Sequence, residues 1–422
     1  RLARLINYNA KRNKAATGLL KIDSISTSQD VLDSTGTNLA NQNIIWNDSA
    51  NANYREQFTT ILNAANQTGQ LFGNPRESGK IGGIDTEVYT LSSNQLDLPI
   101  FKFQSAVGGV TRQFEIIPST ITDSASIYES SPVPGTGLTY TYRSDGSGDS
   151  SNNTGFFFLF KQGRLESQDF TVDSSVTNFV KSFATSNIND TDVYLYKLDQ
   201  FGQIAEAWSK VPSLSGNNAI YNSLSKTERN VYNVVTKAND AIDLVFGDGN
   251  FANIPLGNFR LYYRISDNAK YGIQSSDMQD VQLTVPYTDA NGAQQTLSLS
   301  LSLKSSVYNA AATESNDAIK EKASQVYYSQ NRMITAEDYQ VVPLSASQEI
   351  VKVRSVNRSA SGISRAKEIL DPTGAYSNVS TFAEDGILYR EESIQQFTFN
   401  FNNRSDIQST IDNDVEAKLK NA

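Results

Sequence analysis

From residue 98 to residue 303 the chain alternates short apolar and aromatic runs with clusters of Gly, Ser, Asn and Asp, and few architectures tolerate that rhythm. The runs read PIFKF, RQFEII, LTYTY, FFFLF, DFTV, VYLYKL, AIYN, VYNVV and IDLVF. Each is too short for a helix and is bounded by turn formers, the pattern of a β-rich fold built from many short strands. In TLSLSLSL (296–303) the alternation is strict, so Leu297, Leu299, Leu301 and Leu303 share one face of a half-buried strand. The preceding DANGAQQ carries an Asn-Gly hairpin signal.

Ahead of these runs, GLLKIDSIS (18–26) and NIIWND (43–48) flank the turn-rich DSTGTN and predict a hairpin. NYREQFTTILNAANQ (53–67) places Phe58, Ile61, Leu62 and Ala65 at helical spacing, with Gly69 and Pro75 closing the helix. At 422 residues and 38% hydrophobic content, the chain is long enough for two or three domains. Its 20 Tyr and 20 Phe supply the apolar area that disordered chains lack. The chain begins RLARLINYNAKRNKAATG, without Met, in what reads as a basic helix or loop, so further sequence is expected in front of it.

There is no His and no Cys, which removes disulfides, thiolate nucleophiles, Cys/His zinc sites and His general bases. Carboxylate pairs, Ser/Lys dyads and oxygen-ligated cations are left. A net charge of -9 disfavours nucleic acid and anionic lipid as main partners, and no apolar run is long enough to span a bilayer. In YRSDGSGDSSNNTG (142–155), Asp145 and Asp149 suggest calcium, but the EF-hand spacing puts Ser150 where Gly is needed and Phe156 where Glu is needed. A solvated turn is the expectation there.

DLVFGDGNFANIPLGNFRLYYR (243–264) holds Gly247, Asp248, Gly249, Pro255 and Gly257. A phosphate loop would lead into a helix, whereas here a strand follows, so the glycines read as chain geometry. Asp248-Gly249 predicts a two-residue type I′ hairpin with Phe246 facing Phe251. Ile242, Leu244 and Phe246 would face inward before the turn, and Phe259, Leu261 and Tyr263 after it.

Towards the C-terminus, ESNDAIKEKASQVYYSQ puts Ile319, Ala323, Val326 and Tyr327 on one stripe of an amphipathic helix. Thr335 with Asp338 forms a helix-start signature, and Pro343 is expected to end that helix quickly. IVKVRSVN (350–357) then alternates as a strand. Arg332, Glu337 and Asp338 could be taken for a catalytic cluster, but neighbouring helical carboxylates diverge by about 100 degrees, and capping explains them better. Ile407, Ile411, Val415 and Leu419, spaced by four, form a narrow stripe that would pack on this chain's own module or on a partner.

Three blocks carry a family resemblance: VYLYKLDQFGQIAEAWSKVPSL, then IDLVFGDGNFANIPLGNFRLYYRIS, then NDAIKEKASQVYYSQNRMITAEDYQVV. Their order resembles the baseplate J-like family of contractile-tail systems: a Trp-containing strand pair, an F-G-D-G turn with a nearby P-x-G, and a helix leading into N-R-x-(V/I)-T-x-E-D-Y. The front portion, NAKRNKAATGLLKI and NLANQNIIWNDSAN with QFTTILNAANQ, is similar to the wedge ring proteins of T-even-type phages. The likeness covers most of the chain and thins after about residue 365.

The resemblance implies a virion protein of the tail baseplate, assembled in the host cytoplasm. It would dimerise or self-associate into a ring, contact other wedge proteins and the central hub, and take part in triggering sheath contraction. It implies no catalysis and no cofactor. The alternative is a tail-associated carbohydrate-binding protein or depolymerase, suggested by the many Tyr and the acidic balance, although such proteins usually repeat strand coils and no fixed period occurs here. The fold expected is α+β and β-rich, multidomain, with small domains of short antiparallel strands and a C-terminal α+β module. Its boundaries would be 1–92 for an N-terminal hairpin and helix, 93–190 and 191–305 for β-rich domains, the latter with the FGDG hairpin, and 306–422 for an assembly module.

Overall fold

The computed structural model describes residues 8, 10–66, 71–91, 101–121, 126–134, 137–212, 214, 229–237, 241–250, 252–329, 332–346, 350 and 352–355. In chain order the elements are β1 (Thr17–Thr27), β2 (Ile44–Ile45), α1 (Tyr54–Ala65), β3 (Glu77–Ile81), β4 (Ile84–Leu91), β5 (Phe101–Val107), β6 (Val110–Ile116), β7 (Ser119–Thr120), β8 (Tyr128–Glu129), β9 (Leu138–Ser144) and β10 (Gly155–Gln162). They continue as β11 (Arg164–Val172), β12 (Val180–Ala184), β13 (Ile188–Leu198), β14 (Ile204–Lys210), β15 (Val231–Thr236), β16 (Ala241–Phe246), β17 (Gly257–Ile265), β18 (Val281–Thr288), β19 (Gln294–Leu303), α2 (Asn316–Ser329) and α3 (Asp338–Ala346). The architecture is β-rich with several sheets and short C-terminal helices, which is the class expected from the sequence.

Two compact units divide the chain, Arg1–Lys320 and Glu321–Ala422. In the first, a ten-stranded sheet runs β18-β19-β1-β10-β9-β4-β3, with β2 on β1 and the β5–β6 pair attached to β10. The alternating Leu face of β19 meets the apolar face of β1, in the register Leu20↔Leu303, Ile22↔Leu301 and Ile25↔Leu299. All six of these side chains are buried in one core. Helix α1 lays Phe58, Ile61, Leu62 and Ala65 on the same core. There the Trp46 ring meets Phe58 and Phe156 edge-on at 5.2 and 5.7 Å. Each large apolar side chain so buried stabilises by roughly 1.5–3 kcal/mol.

The second sheet has seven strands, ordered β11-β17-β13-β14-β15-β16-β12, and curls into a half-barrel. Its first and last strands approach each other, with the Phe170 and Phe183 rings 5.4 Å apart. Inside lie Ile242, Leu244 and Phe246 of β16 and Phe259, Leu261 and Tyr263 of β17, the residues whose alternation marks them as inward.

The expected boundaries at 92, 190 and 305 cut across this grouping. Strands from residue 17 to residue 303 share the ten-stranded sheet, and β11 to β17 form an excursion from it. A returning strand closes the first sheet, so its core needs residues from both ends of the unit. Near the C-terminus two further expectations are corrected. Pro343 lies inside α3, and the helix continues to Ala346, because a proline there removes one intrahelical bond without blocking the residues beyond it. Residues 350 and 352–355 form no strand; alternation marks a segment that could pair, and pairing needs a partner strand. Val351 lies outside the described residues.

Candidate functional site

The chain leaves the ten-stranded sheet for the half-barrel at a single residue, Gly163, between β10 and β11. Its φ is +95° and its N–H donates to the Gln113 carbonyl at 2.9 Å. A Cβ there would stand 2.0 Å from the Ile265 carbonyl oxygen, so only glycine lets the two sheets come this close.

Around that crossing the two sheets present charges to each other. Arg264 of β17 is fully buried and donates to Glu115 of β6 at 2.6 Å and to Glu129 of β8 at 2.8 Å, with Asp192 of β13 at 3.9 Å. Lys161 of β10 bridges the same group, 3.0 Å from Glu129 and 2.6 Å from Asp192. Glu115 also accepts from the Leu165 N–H at 3.1 Å. Beside the ions, Asn13 donates to the Asn187 carbonyl, Asn189 Oδ1 and Ser266 Oγ at 2.9, 2.8 and 2.6 Å. Five strands and the N-terminal segment therefore meet in one polar knot.

Its electrostatics follow from burial opposed by pairing. Burial raises the Asp192 carboxyl, but Lys161 and Arg264 outweigh it and hold the group below the ordinary carboxylate value. Burial raises Glu115 and is only partly offset by Arg264. Burial lowers Lys161, yet Asp192 and Glu129 more than compensate and keep it raised. Such a cluster fixes geometry, because a charge displaced from it would leave its partners buried and uncompensated.

A cleft of about 430 Å³ opens beside the knot, lined in part by Lys11, Asp190, Thr191, Lys210 and Asn233. Lys210 Nζ donates to the carbonyls of Asp190 and Thr191 at 2.8 and 2.9 Å, clamping the start of β13. Burial lowers the Lys210 amine and raises the Asp190 carboxyl, each eased by the other. No group of three or more Asp or Glu among the described residues is arranged to hold a metal.

The sequence points to other residues. After β16 the structure shows a compact turn and no hairpin: β16 pairs with β15 and β12, while β17 pairs with β11 and β13. Asp248 caps the turn by accepting the Asn250 N–H at 2.9 Å, and Gly249, at φ +90°, donates to the Ala252 carbonyl at 2.9 Å. A Cβ on Gly247 would lie 2.3 Å from Ala252 Cβ. Pro255 is buried, and Gly257, at φ +102°, opens β17. Arg229 Nη2 donates to the Gly249 and Asn250 carbonyls at 3.0 and 2.9 Å. Phe251 lies outside the described residues. The dipeptide sets local φ, but the partner of each strand is chosen by the barrel.

In 142–155, Asp145 accepts the Ser147 N–H and the hydroxyls of Ser151 and Thr154, so its carboxylate closes the turn from within. On α2, Ala323 and Val326 are buried and Ile319 is half-buried, whereas Tyr327 is exposed. The expected stripe therefore stops short of Tyr327, which sits on its flank. Thr335 and Asp338 form the reciprocal cap: Asp338 Oδ2 accepts the Thr335 N–H at 2.8 Å and Thr335 Oγ1 accepts the Asp338 N–H at 3.2 Å. Bonds from the Thr335 and Ile334 N–H groups hold the Asp338 carboxyl below its ordinary value. Arg332, Glu337 and Tyr339 are exposed around this cap. Ile407, Ile411, Val415 and Leu419 lie outside the described residues.

Sequence reasoning missed the ionic knot. Its signal was present, as single charges inside apolar runs: Glu115 in RQFEII, Lys161 after FFFLF and Arg264 in LYYRIS. In an alternating strand each reads as the solvent face, and only the arrival of a second sheet on that face makes it interior. No curated protein matches the chain. One family does match, over residues 18–306, a span that takes in both sheets and the knot between them. By that match the chain belongs to the family described as a domain of unknown function, DUF8360.

Proposed function

We propose that this chain is a structural subunit of a contractile-tail baseplate wedge, one that links neighbouring wedges into a ring around the central hub and takes part in the rearrangement that releases sheath contraction. The three motif blocks and their order support this reading. The observation that carries it lies in the third block. There Tyr327, Tyr328, Met333, Ile334 and Tyr339 are all exposed, Tyr328 to 83% and Ile334 to 72%. Large apolar side chains gathered on one short segment mark a surface that another protein covers. Two β layers locked by buried charges suit a part that must transmit load without deforming.

The test is location and incorporation. Imaging of intact particles should place the chain in the tail baseplate. Ile334→Asp, at an exposed position, should shift stability by no more than about 0.5 kcal/mol while reducing self-association in sedimentation and incorporation into baseplates. A chain found in the capsid or in a fibre tip, or a variant that incorporates as the wild type does, overturns the reading.

A further inference from the structure

The Asn-Gly pair that signals a hairpin in the sequence stands at the tip of one. Strands β18 and β19 pair from Val281↔Leu301 to Thr288↔Gln294, and residues 289–293 cross between them. Asp289 builds the turn: its Oδ1 accepts the Asn291 and Ala293 N–H groups at 2.9 and 2.8 Å, and its carbonyl accepts the Gly292 N–H at 3.0 Å. Gly292 has a φ of +83°, and both Asn291 and Gly292 are exposed. The Asn291 carboxamide forms no hydrogen bond with any described residue.

That arrangement exposes a carboxamide to its own backbone. Glycine has no side chain to keep its nitrogen away from the preceding residue. The Gly292 nitrogen, on losing its proton to solvent base, can attack Asn291 Cγ; the Cγ–Nδ2 bond breaks, ammonia leaves and a five-membered succinimide closes. Water then opens the ring at either carbonyl, giving aspartate or isoaspartate, with no oxidant or cofactor needed. Among the described residues two further pairs, Asp145-Gly146 and Asp248-Gly249, share the spacing. Their carboxylates are tied down, the first by Ser147, Ser151 and Thr154 and the second by the Asn250 N–H. An ionised carboxylate is also a poor electrophile. At Asn291 the brake is the Gly292 N–H bond to Asp289, and an exposed neutral hydrogen bond slows its opening by no more than about tenfold.

We propose that Asn291 is a site of spontaneous deamidation, at a rate held back by the Asp289 turn. The product carries a new carboxylate close to Asp289 and, in the isoaspartyl form, one more backbone atom in the turn. The experiment incubates the full chain at neutral and at mildly alkaline pH beside a free peptide of residues 286–296. Peptide mass mapping locates the change, and methyl transfer from S-adenosylmethionine by an isoaspartyl methyltransferase counts isoaspartate. Asn291 should convert at a rate within about tenfold of the peptide's, and faster at the alkaline pH. Asn291→Gln, at an exposed position, should remove most of the methyl acceptance. Asp289→Ala, which releases the Asn291 and Ala293 N–H groups, should raise the rate towards that of the peptide. Conversion of Asn291 more than about tenfold slower than in the peptide, methyl acceptance unchanged in Asn291→Gln, or a rate in Asp289→Ala no faster than in the wild type would each overturn the proposal.

Discussion

Arg264→Met tests the ionic knot most directly. The wild-type group sets two cations, Arg264 and Lys161, against three carboxylates, Glu115, Glu129 and Asp192. Methionine approximates the volume but leaves one cation facing three buried carboxylates. Removing one partner of a buried ion pair costs about 3–5 kcal/mol, a large part of the roughly 5–15 kcal/mol that holds a domain folded. Guanidinium unfolding followed by near-ultraviolet circular dichroism should show that loss as a lower midpoint at about pH 7.

The dependence on pH adds a second constraint. The depressed Asp192 pKa means that its stabilisation is full above the ordinary carboxylate range and is lost as pH falls through the folded value. Glu115, raised by burial, works in the opposite sense: its contribution is full below the ordinary range and is lost as pH rises through the raised value. Without Arg264 both carboxyls move up, so the deficit should be largest near neutrality and should shrink towards about pH 4 as protons replace the missing cation. Adding Glu115→Leu and Glu129→Leu leaves Lys161 balanced by Asp192 at 2.6 Å and should recover much of the loss. A single-variant cost below about 1 kcal/mol, or a triple variant less stable than the single one, would show that the knot does not hold the sheets together.

Two shorter predictions concern other positions. Gly163→Ala combines a forbidden φ with a contact of 2.0 Å to the Ile265 carbonyl and should cost about 2–6 kcal/mol; a denaturation midpoint close to wild type would refute the single-residue crossing. Lys21, lowered to about 8 first by burial and then by Lys304, should titrate near that value in a side-chain NMR experiment, and Lys304→Gln should move the midpoint up. Because its folded value lies below the unfolded one, this group adds stability as pH rises from about 8 through the ordinary lysine range. A midpoint at the usual lysine value would contradict the burial seen here.

Local chemistry was legible in the sequence, and long-range partnership was not. The Leu face of β19, the buried side of α1 and the reciprocal cap of Thr335 and Asp338 depend on residues within a few positions of each other, and each forms as the spacing predicts. The pairing of Leu20 with Leu303 depends on residues far apart in sequence, and any other alternating strand would have suited either of them as well locally. Asp248-Gly249 failed for the same reason: it shapes its turn, but the strands around it answer to β11, β12, β13 and β15. The ionic knot was hidden further still. A charge in an alternating strand signals water until another layer covers it, and nothing near Arg264 in sequence announces Glu115 or Glu129.

The way the first unit closes on itself determines how it would bear a pull. Tyr8 and residues 10–17 run beside 307–314, with Lys14 and Ala311 exchanging backbone hydrogen bonds at 2.8 and 3.1 Å and Glu314 Oε2 accepting from the Tyr8 hydroxyl and the Lys11 N–H. Antiparallel chains drawn apart from adjacent ends open like a zipper, one bond at a time, whereas strands slid along their length must break many bonds together. Tension between the two ends of this unit would therefore part the 14–311 seam first and leave the sheets behind it whole.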